Sequence, residues 1–177
     1  MKELSLHLLD LIENAVAAGA TRVRALISER PDRDRLYLSV SDDGRGMSAD
    51  LARRALDPFT TTRRSRKVGL GLALLASTAA QAGGRAAVHS APGRGTTVRV
   101  SMGLSHLDRP PLGRLDETLA VCAVLHPQLD LRLRHRTPYG SYEINTLQLP
   151  RDLGPKGIRA QLAARVSAGL ARIRSQA

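Results

Sequence analysis

The sequence predicts a two-layer α+β sandwich, one antiparallel-rich sheet covered on a single face by helices. Three observations carry that expectation. The elements run in the order helix, hairpin, short helix, loop, helix, hairpin. The strand segments alternate apolar and polar residues, as a sheet with one wet face requires. Apolar residues make up 42% of the chain, with one Phe, three Tyr and no Trp, so the core is aliphatic and wholesale disorder is excluded. At 177 residues the chain suits one domain with an appendage or two small domains.

Taken in order, residues 4–18 place Leu4, Leu8, Leu11, Ile12, Ala15 and Val16 on one helical face, and Gly19 fits the left-handed position that ends a helix. Residues 22–27 and 36–40 alternate, and the polar segment 29–35 with Pro31 and two Asp joins them as a hairpin. Ser48 caps a short helix over 49–56, with Leu51 and Leu56 expected inward. Residues 57–68 are polar, basic and rich in threonine without a period, which predicts a mobile loop. A helix rich in alanine and leucine is expected over 70–82, stopped by Gly83-Gly84. Strands over 85–90 and 96–102 follow, joined by the Pro-Gly-Arg-Gly turn at 92–95.

Past residue 104 the texture changes. Asp108-Arg-Pro-Pro111 breaks the pattern, a helix is expected over 115–125, strands over 129–135 and 142–149, and an amphipathic helix over 156–173. The organisation expected is a first unit over 1–103 and a C-terminal α/β extension over 104–177.

Charge and composition narrow the function classes. Lys and Arg exceed Asp and Glu by 11, with 24 Arg against 3 Lys, and the excess divides as +6 before residue 105 and +5 after it. That leaves nucleic acid open as a partner, although the shortage of aromatic residues argues against a base-stacking platform. Cys122, the single cysteine, cannot form an internal disulfide, and its apolar neighbours mark it as a buried small residue. The histidines show no metal-ligand spacing. Glu3, Asp10 and Glu13 interrupt the apolar N-terminal stretch, and no stretch approaches the ~20 apolar residues of a spanning helix. A soluble, cytoplasmic protein with no membrane partner is expected.

Four elements carry chemistry. Asp42-Asp43-Gly44-Arg45-Gly46-Met47 leaves the second strand, and a carboxylate followed by glycines makes a tight turn where a ligand can approach the backbone. On the first helix Asp10 and Asn14 stack one turn apart, whereas Glu13 points about 100° away from Asn14. A carboxylate and a carboxamide oxygen suit a hard cation such as magnesium and an ordered water. Gly69-Leu70-Gly71 opens a helix after Arg63, Arg64, Arg66 and Lys67, where free backbone N–H groups and the helix dipole favour a phosphate. The fourth is Gly93-Arg-Gly95-Thr96 in the last hairpin. Each has an ordinary explanation alone, as turn chemistry, a wet helix face or a solvated loop. Their order and spacing do not: Asn14, Asp42, Gly69 and Gly95 fall at intervals of 28, 27 and 26 residues.

With that spacing, residues 1 to about 103 resemble the GHKL superfamily of ATPases, which includes gyrase, heat-shock chaperones, histidine kinases and MutL-type mismatch-repair proteins. Residues 13–21, Glu-Asn-Ala-Val-Ala-Ala-Gly-Ala-Thr, look like the N box, with a MutL-like ending. Residues 42–47 look like the first glycine box, and Asp57-Pro-Phe-Thr-Thr-Thr-Arg63 resembles the phenylalanine box of sensor kinases. Gly69-Leu-Gly-Leu72 and Gly93-Arg-Gly-Thr96 match the later glycine boxes.

The resemblance implies roles. Asp42 would accept the adenine amino hydrogen of ATP, with Thr96 supporting the ring through water. Asn14 would give its oxygen to a Mg²⁺ that bridges the phosphates. Gly44, Gly46, Gly69, Leu70 and Gly71 would let backbone close on the nucleotide. Residues 60–68 would form a lid, with Arg63, Arg64 and Lys67 as candidate γ-phosphate partners. Asp10 stands where MutL and gyrase relatives place a catalytic Glu, and a shorter carboxylate can still orient water. Sensor kinases carry a phosphoacceptor histidine on a hairpin before this domain; with only a few residues ahead of the N box, that hairpin is expected to be absent. His7 is expected to be a helix-surface or helix-packing residue.

Three readings follow. The first is Mg²⁺-dependent ATP binding with slow hydrolysis or phosphoryl transfer to a protein partner in trans. The second is an ATP-gated interaction switch, and the third a MutL-like DNA-associated factor. The sequence does not identify the partner or the oligomeric state.

Overall fold

The computed structural model describes residues 3–57, 71–150 and 152–174. The expected lid and the expected phosphate partners Arg63, Arg64, Lys67, Gly69 and Leu70 fall on 58–70, outside the described residues.

Helix α1 (Leu4–Ala17) leads into strand β1 (Arg22–Arg30), a 3₁₀ turn at Pro31–Arg33 and strand β2 (Arg35–Asp42). Helices α2 (Ala49–Arg54) and α3 (Gly71–Gln81) precede strands β3 (Arg85–Ser90) and β4 (Thr96–Gly103). Helix α4 (Leu115–Leu125), strands β5 (Asp130–Thr137) and β6 (Gly140–Asn145), and helix α5 (Pro155–Arg174) complete the order.

The described strands form one six-stranded sheet in the order β3-β4-β2-β1-β5-β6. All pairings are antiparallel except β1 with β5, which run parallel with Val23 opposite Leu131. Strands past residue 104 thus extend the same sheet. Alternation decides the faces. Val23, Ala25, Ile27, Leu36, Leu38, Val40, Val98, Val100, Leu131 and Leu133 point to one side and share a single core with Leu8, Ile12, Leu75, Leu119 and Leu162 from the helices. The predicted sandwich is what forms.

Several local outcomes have simple causes. Ser48 Oγ accepts from Leu51 N at 3.3 Å and so caps α2. Leu51 and Leu56 are only half-buried, and Ala55 is the buried residue there. The last strand ends at Asn145 rather than running to 149, because the Asn145 carboxamide oxygen accepts from Leu147 N at 2.9 Å and turns the chain into a 3₁₀ helix, Thr146–Gln148.

Helix α1 has no side-chain N-cap. Its first free donors, Leu4 N and Ser5 N, bond the carbonyls of Pro111 and Leu112 at 2.9 Å each. Thr118 Oγ1 donates to Ser5 O at 3.0 Å. The C-terminal extension therefore fixes the start of the helix that carries Asp10 and Asn14. No helix among the described residues is long and apolar enough to cross a membrane.

Candidate functional site

The site is built where the C-terminal end of α1, the exit of β2 and the β3–β4 turn meet. Asp42, the last residue of β2, pairs with Thr96 of β4. Its Oδ1 accepts from Gly44 N at 2.9 Å, which closes the turn. Burial raises the Asp42 carboxyl above its usual range, while backbone N–H groups of Gly44 and Thr96 pull the other way.

Two glycines of this turn cluster are obligatory. Gly46 has φ +68°, and a Cβ there would stand 1.9 Å from the Ala91 carbonyl oxygen. Gly95 has φ +73°, with the Asp42 carbonyl oxygen 1.9 Å from its missing Cβ. Gly44 is buried beside Ala18 at the end of α1.

Asp10 and Asn14 lie one turn apart on α1, both half-buried. A Cβ on Gly71, the first described residue of α3, would lie 2.9 Å from Asp10 Oδ2, so the carboxylate sits directly against the described start of that helix. Burial raises the Asp10 carboxyl, and the nearby Glu13 charge adds to the effect. The Asn14 carboxamide makes no hydrogen bond to another described residue. Among the described residues no group of three or more His, Cys, Asp or Glu could hold a metal ion. Magnesium keeps several waters and takes one or two protein oxygens plus phosphate, so the Asn14 oxygen fits that ion as a single protein donor.

Three residues that the sequence reading passed over hold this arrangement together. Asp43 accepts from Thr21 N, Thr21 Oγ1 and Arg22 N at 2.8 Å each and from Arg22 Nε at 2.9 Å. Desolvation alone would raise its carboxyl, but the bonds from Arg22 and Thr21 hold it far below the usual carboxylate range. Arg45 donates through its backbone N to Ala18 O at 2.9 Å and through its side chain to Ala17 O at 2.6 Å, satisfying the last carbonyls of α1. Ser90 Oγ accepts from Met47 N at 2.8 Å, donates to Gly95 O at 2.8 Å and lies 2.9 Å from Thr96 Oγ1. It fastens the turn after β2 to the β3–β4 turn. A serine ending a strand gives no signal of such a role, and neither does the second of two adjacent aspartates.

Glu13, the neighbour that competes with Asp10 for a catalytic reading, faces elsewhere and is held by His126 Nε2 at 2.9 Å. His7 is 1% exposed, so it packs inside, and neither ring nitrogen has a hydrogen-bond partner among the described residues. Desolvation lowers its pKa to about 4. Cys122 is buried as expected, and burial pushes its thiol up to about 12, with the Glu13 charge contributing.

A family model described as histidine kinase-, DNA gyrase B-, and HSP90-like ATPase matches residues 2–106. A non-motile and phage-resistance protein of Caulobacter vibrioides is 34% identical over 111 residues, covering 58% of this chain and 13% of that protein. The sensory histidine kinase/phosphatase NtrB of Rhodobacter capsulatus is 38% identical over 113 residues, covering 56% of this chain and 31% of its own length. The chain thus spans less than a third of either relative. Among solved structures, the N-terminal domain of a DNA repair protein aligns over 98% of this chain and 59% of that one, with a TM-score of 0.57 and 15% identity. At that identity the likeness concerns the fold alone.

Proposed function

The chain belongs to the histidine kinase-, DNA gyrase B-, and HSP90-like ATPase family, whose fold binds ATP, and we propose that it binds ATP with Mg²⁺ to support slow hydrolysis or transfer of the γ-phosphoryl group to a partner protein. The observation that carries the reading is the Asp10 carboxylate set against Gly71 at the start of α3. A phosphate chain drawn to that helix opening would lie within reach of a base whose proton affinity burial has raised.

The other residues take roles that their surroundings support. Asp42, oriented by the Gly44 N–H, would accept the adenine amino hydrogen. Thr96, beside Ser90, lines the same strand pair and can hold a water against the ring. Asn14 would hold Mg²⁺ through its carboxamide oxygen, and the ion would supply charge neutralisation at the phosphates. Asp10 orients the attacking water and takes its proton as the γ-phosphorus–oxygen bond to ADP breaks. Arg63, Arg64 and Lys67 remain the candidate cations for the γ-phosphate, with Gly69, Leu70 and Gly71 approaching the phosphates. Glu13 is unsuited to the base role because His126 already engages it.

Asp10→Asn tests the reading. ATP affinity by calorimetry should stay within about threefold of the parent, while turnover of γ-labelled ATP falls on the order of 10²-fold or more. Turnover at the parent rate would remove Asp10 from the mechanism. A second reading, an ATP-gated interaction switch, draws on the Glu13–His126 bond, which joins the site helix to the C-terminal extension. Single-turnover assays with and without a partner separate the two, since a pure switch leaves the bound ATP intact.

A further inference from the structure

The sheet has a second face that no helix of the described residues covers. The register puts Arg24 of β1, Arg85 of β3, Arg99 of β4 and Arg132, Arg134 and Arg136 of β5 together on it. The acids on the same face are few. Asp130 is shared by Arg132 and Arg24, at 3.0 and 3.4 Å, and Glu143 stands across from Arg134. Between β1, β2, β5 and β6 the surface forms a shallow hollow of about 330 Å³ with arginines on its rim.

Three helices of the opposite layer contrast with this face. Helices α1, α3 and α4 contain no lysine or arginine at all, although they make up much of the opposite layer. Helices α2 and α5 do carry cations, among them Arg53, Arg54, Lys156, Arg159, Arg165 and Arg172, but the sheet face sets its six arginines side by side on one broad, rigid surface. From β3 to β5 it spans four strand spacings, about 19 Å.

We propose that this arginine-covered sheet face binds the phosphate backbone of double-stranded nucleic acid, without reading its sequence. Three features favour that occupant over other anions. Arginine forks hold phosphates in two-point contacts, and these six positions contain no lysine. The apolar groups on the face are small or partly covered: Ala87 and Leu26 are half-buried, and Tyr37 is 38% exposed. A protein interface needs an apolar centre, and a membrane surface needs inserting side chains, which this face lacks. One aromatic ring is too few for stacking the bases of a single strand, so a duplex fits better. The face is separate from the Asp42 turn, and the proposal stands whether or not ATP is hydrolysed.

The test is binding of labelled random-sequence DNA and RNA duplexes of about 25 base pairs to the full chain, by anisotropy, between about 50 and 200 mM salt. The triple variant Arg24→Gln, Arg99→Gln, Arg134→Gln should lose at least about tenfold in affinity, and its log–log salt slope should fall by about 2.7. Removing three charges from α5 instead (Lys156→Gln, Arg159→Gln, Arg165→Gln) should cost less than about twofold. Arg99→Gln alone, should the triple fold poorly, must still lower the slope by about 0.9. Preference between the DNA and RNA arms identifies the natural duplex. Equal losses in the two triples, no duplex binding at low salt, or equal or tighter binding of polyglutamate or anionic vesicles would each overturn the proposal.

Discussion

Replacing Asp43 by Ala removes the acceptor of four hydrogen bonds that join the α1–β1 turn to the exit of β2. The Asp43 side chain keeps 27% of its exposure, so water can take up part of what is lost. Counting each bond at the low end of the usual net range gives a destabilisation of about 2 to 3 kcal/mol. For a chain of this size that corresponds to a melting point about 5 to 10 °C lower. Asp43→Asn keeps an acceptor oxygen but loses the charge and should fall between the two. The pH dependence is a further check. The folded-state pKa of Asp43 is depressed, so its contribution is complete above the unfolded value of about 3.9 and is lost progressively as pH falls below it. Thermal melts of parent and Asp43→Ala should therefore converge in acid. A melting point within about 2 °C of the parent at neutral pH, or a gap that persists unchanged in acid, would refute the assignment of Asp43 as the clasp of this turn.

Asp42→Asn should weaken ATP binding by roughly 10- to 100-fold, because an amide presents a poorer acceptor to the adenine amino group. GTP, with a carbonyl at that position, should bind poorly to the parent, and calorimetry giving equal ATP and GTP affinities would sink the adenine-reading role. Asn14→Ala should abolish the magnesium dependence of nucleotide affinity, measured by titrating ATP with and without the ion; an undiminished magnesium effect would exclude Asn14 as a ligand. His7 stays neutral in the fold but protonates readily when unfolded, so the parent should lose up to about 3 kcal/mol as pH falls from about 6.5 toward 4, because the unfolded chain binds more protons there. His7→Leu should flatten that part of the stability curve in denaturant melts, and a curve of unchanged slope would show that another group is responsible.

Much of this architecture is legible in the sequence because one face of each element is apolar at the right period. Leu4, Leu8, Leu11 and Ile12 mark α1, and the alternation of Val23, Ala25 and Ile27 marks the inner side of β1. The parallel pairing of β1 with β5 is not legible, since nothing local couples Val23 to a strand more than a hundred residues away. The end of β6 was missed for a different reason. Residues 146–149 keep an apolar alternation, but the Asn145 side chain supplies a turn bond that competes with the ladder. At the site, the glycine spacing announces the turns, whereas the clasps depend on contacts between distant segments. Asp42 and Asp43 are indistinguishable by type, and only the fold makes one face the site turn and the other the α1–β1 turn. His7 was expected on a helix surface or in packing; its position between Leu4, Leu8 and Leu11 on α1 puts it inside.

The extension bears on which carboxylate of α1 is free to act. Helical phase already favours Asp10, which stacks one turn from Asn14 while Glu13 points about 100° away from it, and the fold adds a second distinction. His126, at the end of α4, takes up Glu13, while the opening of α3 is brought against Asp10. The same extension supplies the Pro111 and Leu112 backbone carbonyls to the first turn of α1, and the Thr118 hydroxyl to its Ser5 carbonyl. A helix lacking a cap of its own is thereby held at its start by one segment and near its end by another. Its orientation sets the direction of both Asp10 and Asn14. Any partner that shifts α4 would move Glu13 through His126, and with it the local charge that helps to raise the Asp10 carboxyl. The route from the extension to the base is thus a short one, two side chains and less than one helical turn.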